Sequence, residues 1–328
     1  SVREDNPLAV LARALTRLRS GEVSYGILAI AVLTWAGGCA LLLPTGARSR
    51  RAASLAAAAS LAAGAGFWLL FAGRVAVLAR VVPTNLRELI ALTDRLAGVT
   101  GLLYALVTLL VVGLAIALVP SWPDRPYRPL AARSGGAAIL TIHAGVLAIA
   151  LFAGLSINLR PAQADVVFKT ASSFENTQQP IEASIALYAH ALALAPDQDF
   201  YALFLGRAYL GAARAAKAAD REKLYQQSEA ALLEAERLAP LNTDHAANLG
   251  RLFRAWAGDT GDPALRRERA NAADGYYRVA TTLSPNSATL WNEWAALVFE
   301  ELRDTARAQA YFEQSLAVDP LFSQTHNL

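Results

Sequence analysis

Four prolines, Pro196, Pro240, Pro285 and Pro320, each follow an apolar helical pattern, and the residues before each obey one spacing rule. A small residue, a large one and a small one precede the proline with three, two and four residues between them. They are Ser184, Tyr188 and Ala191 before Pro196, and Ser228, Leu232 and Ala235 before Pro240. Ala273, Tyr277 and Ala280 precede Pro285, and Ala308, Phe312 and Ser315 precede Pro320. Steps of four and three put all three side chains on one helical face. Proline then ends the helix, because it lacks an amide donor and clashes with the preceding turn.

A partner helix recurs ahead of each pattern. Leu205-Gly206 with Tyr209, Leu249-Gly250 with Phe253, and Ala295-Ala296 with Phe299 share one spacing, and Ala171-Ser172 is a poorer copy. Small residues let two helices approach, and the large one fills the gap beside them. This resembles the tetratricopeptide repeat, a helical hairpin of about 34 residues. The resemblance covers about residues 165 to 320 and implies an α-solenoid of about four repeats that binds protein. The proline steps are 44, 45 and 35 residues, so two units carry insertions around 211 to 226 and 257 to 272. These insertions are charged and helix-prone, and would form lengthened helices or protruding loops.

The first half has another character. The chain is 55% hydrophobic and 17% charged, and long apolar runs fill it up to about residue 160. Four segments, about 25–43, 52–78, 99–119 and 137–159, have the roughly 20 apolar residues that a bilayer-spanning helix needs. Arginines flank them, as is common at membrane interfaces. Residues 1–22 form an amphipathic pattern suited to a membrane surface, and 80–97 an amphipathic connector. Ala56, Ser60, Ala63 and Gly64 give the second segment small residues for close helix packing. The expected fold is therefore all-α, with an amphipathic amino-terminal helix over 1–22, a four-helix transmembrane unit over 23–160 and tetratricopeptide-like repeats over 165–328. The net charge of +3 comes from these membrane-flanking arginines and does not imply nucleic acid. The chain starts Ser-Val-Arg without Met, so its product is expected to begin further upstream.

The phrases "ADVVFKTASSFENTQQPIEASIALYAHALALAPDQDF", "LAPLNTDHAANLGRLFRAWA" and "LSPNSATLWNEWA" also resemble the carboxy-terminal region of O-antigen-ligase-like, polymerase-like bacterial membrane proteins of the Chloroflexota type. That resemblance implies a bacterial cell membrane, with the repeats outside the cytoplasm. In such proteins a multi-pass core transfers lipid-linked glycan using a large loop with Arg and His. No counterpart of that loop stands between these apolar segments, so no catalytic residue is carried over.

Other chemistry has little footing. The single cysteine, Cys39, excludes an internal disulfide and a cysteine-based zinc site. There is no GxxxxGK[ST], HExxH or CxxC motif. His143 lies in an apolar segment, and His190, His245 and His326 are scattered. No catalytic, cofactor or metal residue is expected. Asp197, Asp199, Asn242-Thr243-Asp244 and Asn286-Ser287 read as helix caps. Trp256, Trp291, Trp294, Tyr276 and Tyr277 read as packing between repeats. The first helix of each unit should line a concave binding face with Phe200, Leu203, Arg207, His245, Asn248, Arg251, Asn292 and Glu293. The expected function is a non-enzymatic membrane scaffold with lipid contacts and a protein partner. Self-association into an array or tube is the leading form. An accessory part of a ligase-like enzyme and an adaptor for a soluble partner are the alternatives.

Overall fold

A computed structural model describes residues 50–79, 81–118, 154–175 and 180–322, with isolated positions between 8 and 36. The described residues are helical, with no strand among them. The chain divides into two compact units, Ser1–Val166 and Val167–Leu328.

In the first unit, α1 spans Arg50–Ala79 and α2 spans Leu86–Leu118. Asn85 and Glu88 start α2. The Asn85 Oδ1 accepts from the Glu88 amide at 2.9 Å, and the Glu88 carboxylate accepts from the Thr84 amide at 2.9 Å. This reciprocal cap satisfies the Glu88 amide of the first turn and the Thr84 amide just before it. From this start residues 86–118 form one continuous helix, so the expected connector at 80–97 is largely the start of the third apolar segment's own helix. Within α1, Ala72 and Ala76 are buried, as are Leu89, Thr93 and Ala97 of α2. The small residues expected to pack lie elsewhere on α1. Ser60 and Ala63 are exposed, and a Cβ on Gly64 would meet nothing within 4 Å. They lie nearer the start of α1 than the buried Ala72 and Ala76 do; of Ala56 the structure describes no side chain.

Among the described residues one helix, Ala57–Leu78, is long and apolar enough to cross a membrane. Leu61, Trp68, Leu70 and Val77 on it are exposed. Four such helices are expected from the sequence, and one of them is found among the described residues. The first segment and most of the fourth lie outside the described residues, as does the helix expected over 1–22. The fourth ends in a π-helical stretch, Gly154–Leu159, that runs without a break into α3, Arg160–Glu175.

The second unit contains the helical hairpins. After α3 come α4 (Ile181–Leu194), α5 (Asp199–Ala215), α6 (Ala218–Leu238), α7 (Thr243–Gly258), α8 (Pro263–Leu283), α9 (Ala288–Leu297) and α10 (Thr305–Val318). The helices α4, α6, α8 and α10 each end just before one of the four prolines. The insertions become helix: α6 and α8 have 21 residues each, against 14 in α4 and α10. Seven residues are two further turns.

Each spacing rule has a contact behind it. Tyr188, Leu232 and Tyr277 are fully buried, as are Ala191, Ala235 and Ala280. A Cβ on Gly206 would lie 2.5 Å from Leu232 Cγ, and one on Gly250 would lie 3.1 Å from the Tyr277 ring. The Ser228 hydroxyl donates to the Gly206 carbonyl at 2.7 Å, and Ser184 does the same to Ala171 at 3.4 Å. Ala171 therefore stands where Gly206 does, and the first unit's pattern is shifted by one from the expected Ala171-Ser172 register.

Two large positions depart from expectation. Phe299 is 49% exposed and fills no gap. It lies in a π-helical turn, Val298–Leu302, that rotates the chain so that Val298 is buried instead. Arg303, with φ of 59°, closes that turn in the left-handed region. Phe312 is only partly buried and packs on the cluster of Ala273, Tyr277 and Val298.

Gly206→Ala is expected to lower the unfolding free energy by about 1–3 kcal/mol, because the buried Leu232 has no room to yield. Gly275→Ala, inside α8 with nothing within 4 Å of its Cβ, should raise it by about 0.5–1 kcal/mol. Urea unfolding followed by circular dichroism reads both; the same response at the two sites would contradict the close approach.

Candidate protein-binding groove

The first helices of the last three hairpins, α5, α7 and α9, present one face on which most of the expected binding residues lie. The structure sorts those residues into three groups.

The first group is structural. Leu203 is buried in the cluster with Leu232, Leu249 and Trp256. His245 is fully buried, and its Nε2 lies 2.7 Å from Asp199 Oδ2. Asn248 and Asn292 are 6% exposed, and Asn248 donates to the Asp244 carbonyl at 2.7 Å. His245 and Asn292 are buried and take no part in lining the groove, while Leu203 and Asn248 contribute only to its wall. Asp199, expected to cap α5, instead ties repeats together, since Asn242 also reaches it at 3.3 Å. The N-cap position of α5 is Gln198, without a side-chain bond. Asn242 does cap α7, accepting from the Asp244 amide.

The second group is paired. Arg251 holds Glu293 with two bonds, at 2.8 and 3.0 Å, and the Tyr277 hydroxyl donates to the same carboxylate at 3.4 Å. One helical turn on, Arg254 donates to Glu300 at 2.7 Å. A fork meeting a carboxylate in two places fixes the register of α7 on α9. Burial, followed by the charge of Glu293, pushes the Tyr277 phenol well above its usual range, so the hydroxyl keeps its proton.

The third group is open. Phe200 is 46% exposed and stacks at 4.6 Å on Phe204 and 4.8 Å on Phe168. Arg207 lies over the Phe204 ring at 4.8 Å and has no ion pair among the described residues. Two further turns along α5, Arg214 is likewise exposed and unpaired among them. Together these line a groove of about 560 Å³ with Leu210 and Gly211 for its floor and Asp244 and Arg251 on the α7 side. A second hollow of about 540 Å³ continues it toward α9, sharing Arg214 and Arg251. Its acids are Asp259, Glu293, Glu300 and Glu301.

Phe204, Leu210, Arg214, Asp244 and Arg254 were not among the expected residues. Helical spacing alone could have supplied several: Phe204 is four after Phe200, Arg214 seven after Arg207, and Arg254 three after Arg251. No spacing signals Glu300 and Glu301, because the π-helical turn puts them there.

Of the aromatic packing expected between repeats, the Trp256–Tyr225 stack crosses from one hairpin to the next, while Phe253–Tyr276 lies within the α7–α8 hairpin and Trp291–Trp294 within α9. Trp256 stacks on Tyr225 at 5.5 Å, Phe253 on Tyr276 at 5.6 Å, and Trp291 on Trp294 at 5.6 Å. Arg269 covers Trp256 at 4.1 Å, and the Trp256 Nε1 donates to Glu222 at 2.9 Å. The Tyr225 hydroxyl donates to Asp259 at 2.6 Å. Glu222 and Tyr225 lie in the first two turns of α6, so the insertion supplies contacts to the next hairpin. Among the described residues no group of three His, Cys, Asp or Glu is placed to hold a metal.

No protein-family model matches this chain, and no curated protein matches it. Among solved structures, MamA of MSR-1 is 18% identical over 48% of this chain and 77% of its own, with a TM-score of 0.37. TTC0263, described as a thermophilic TPR protein of Thermus thermophilus, is 17% identical over 55% of this chain and 92% of its own, with a TM-score of 0.39. Likeness at that level carries no argument about function. The repeat reading rests on the contacts at Gly206, Gly250 and the residues facing them. The ligase-like resemblance has no counterpart in these comparisons.

The His245–Asp199 bond predicts an acid response. Burial opposes ionisation of Asp199, but the His245 and Asn242 hydrogen bonds and the imidazole charge outweigh it and hold its pKa below the usual aspartate value. A lowered carboxylate pKa stabilises the fold above the unfolded value of about 4 and ceases to do so as pH falls through the folded value. Asp199→Asn should lower stability at pH 6 and flatten the loss between pH 6 and pH 3. Urea midpoints across that range measure this; a variant as acid-sensitive as the wild type would refute the assignment.

Proposed function

We propose that this chain is a non-enzymatic membrane scaffold whose helical-repeat unit holds a protein partner in the groove across α5, α7 and α9. The observation that carries the reading is the contrast along that face. His245, Asn292, Glu293 and Arg254 are buried or paired within the stack, while Phe200, Arg207 and Arg214 line an open hollow with polar and aromatic groups unspent. An exposed aromatic beside unpaired arginines is the composition of a contact surface, in which such residues supply most of the binding energy. The apolar helix Ala57–Leu78 supports attachment to a membrane and contact with its lipids, and the other three expected spans are part of this proposal. So is placement of the repeats outside the bacterial cytoplasm.

Self-association into an array or tube is the form of the scaffold that the sequence reading favours. Its support here is the exposed Leu321, at 88%, beside α10. Particle mass after mild extraction tests it, and a monomer would remove self-assembly while leaving the groove standing.

A photo-crosslinking residue in place of Asp244, which is exposed on the groove wall, tests the groove itself. In native membranes it should give one adduct of discrete mass. The same residue in place of Leu233, on α6, should give none. Equal labelling at the two sites, or no adduct from position 244, would overturn the reading.

A further inference from the structure

We infer that the occupant of the α5 end of the groove is an extended acidic segment, with two carboxylates three residues apart and an apolar side chain flanking one of them. This rests on the groove being a protein-binding site and adds the chemistry of the partner.

Three observations lead to it. Arg207 and Arg214 are seven residues apart on α5, so they stand on one face about 10.5 Å apart along the axis. Both are exposed, and among the described residues neither has an ion pair. Gly211 lies between them and lines the groove without a side chain. A polyproline-type segment turns once every three residues and rises about 9.3 Å in doing so. Carboxylates at its first and fourth positions therefore face the same way at nearly the arginine spacing. A β-strand would turn them to opposite faces.

The apolar requirement comes from Phe200 and Phe204. They lie on the far side of Arg207 from Arg214, one and two turns away on the same helix. Phe200 remains 46% exposed although it sits among Phe168, Tyr201 and Phe204. A side chain placed beyond the Arg207-bound carboxylate would cover it.

The charge distribution selects a short acidic stretch over a long polyanion. This half of the groove is lined by Arg207, Arg214 and Arg251 against one acid, Asp244. The other half carries Asp259, Glu293, Glu300 and Glu301 together with Arg251 and Arg254, which are held in ion pairs with Glu293 and Glu300, so beyond Arg214 it offers a continuing phosphate backbone no free cation among its lining residues. Because Arg251 is already held by Glu293, two cations are left for a ligand.

The test uses the full chain in detergent and a fluorescein-labelled peptide, read by anisotropy. The peptide has phenylalanine, a serine spacer, glutamate, two prolines and glutamate; its reversed order is run beside it. One of the two should bind saturably, and more weakly as salt is raised. Replacing both glutamates by glutamine should weaken binding at least about tenfold, as should Arg207→Glu with Arg214→Glu, since each carboxylate loses a charge-assisted bond. Both arginines are exposed, and unchanged circular dichroism verifies the fold of the variant.

Equal binding of the glutamate and glutamine peptides would overturn the acidic assignment. Binding of neither order would overturn it too, as would preference for single-stranded RNA or phosphatidylserine vesicles over the peptide. If the crosslink from position 244 persists in any of these cases, the protein-binding reading stands and only the partner's chemistry is wrong. If that crosslink is also lost, both fall.

Discussion

Close contact between paired helices is the constraint on which the repeat unit depends. At Gly206 the backbone of α5 lies against Leu232 so tightly that a methyl group has no place, and Ser228 bonds to the Gly206 carbonyl. At Gly250 the Tyr277 ring takes the same role. With the helices this near, the facing large residue is excluded from water entirely, and burying it drives the pairing. The tilt of each hairpin, and so which side chains of α5, α7 and α9 face outward, follows from these contacts.

The insertions turn out to strengthen the contacts between hairpins. They lengthen α6 and α8 by two turns and deliver Glu222 and Tyr225 to the next hairpin. There Trp256, Arg269 and Asp259 meet them: the Trp256 indole N–H and the Arg269 guanidinium donate to Glu222, and the Tyr225 hydroxyl donates to Asp259. Repeat arrays take their stability from each unit and from its interface with the next. Here the interface is broadened by polar and aromatic contacts while the hairpin core stays apolar. The His245–Asp199 bond is a further tie of this kind, buried deeper.

The groove was partly legible in the sequence. Arg207, Arg251, Glu293 and Phe200 were on the expected face and are there. Asn248 and Leu203 were expected on the same face, but they are buried side chains that only wall the groove. A helical face is broad, and the neighbouring hairpin decides which edge of it is covered. His245 looked like a polar surface residue because nothing near it in sequence reveals Asp199, 46 positions earlier. Phe299 looked like a packing residue because regular helical spacing was assumed, and the π-helical turn breaks that spacing.

By itself the sequence determined the helical class, the stop of each second helix at a proline, and the small–large–small face that makes helices pair. These are local matters of backbone geometry and of periodicity over a few turns. It also marked an apolar first half, in which one helix among the described residues is long and apolar enough to cross a bilayer. The tertiary structure alone decided that the insertions become helix, that Arg251 meets Glu293 and leaves Arg207 and Arg214 open, and that Ala171 replaces Ser172 at the first close approach. Those outcomes depend on which residues far apart in the chain come within a few ångströms. A periodic pattern records which face is buried, but not what it is buried against.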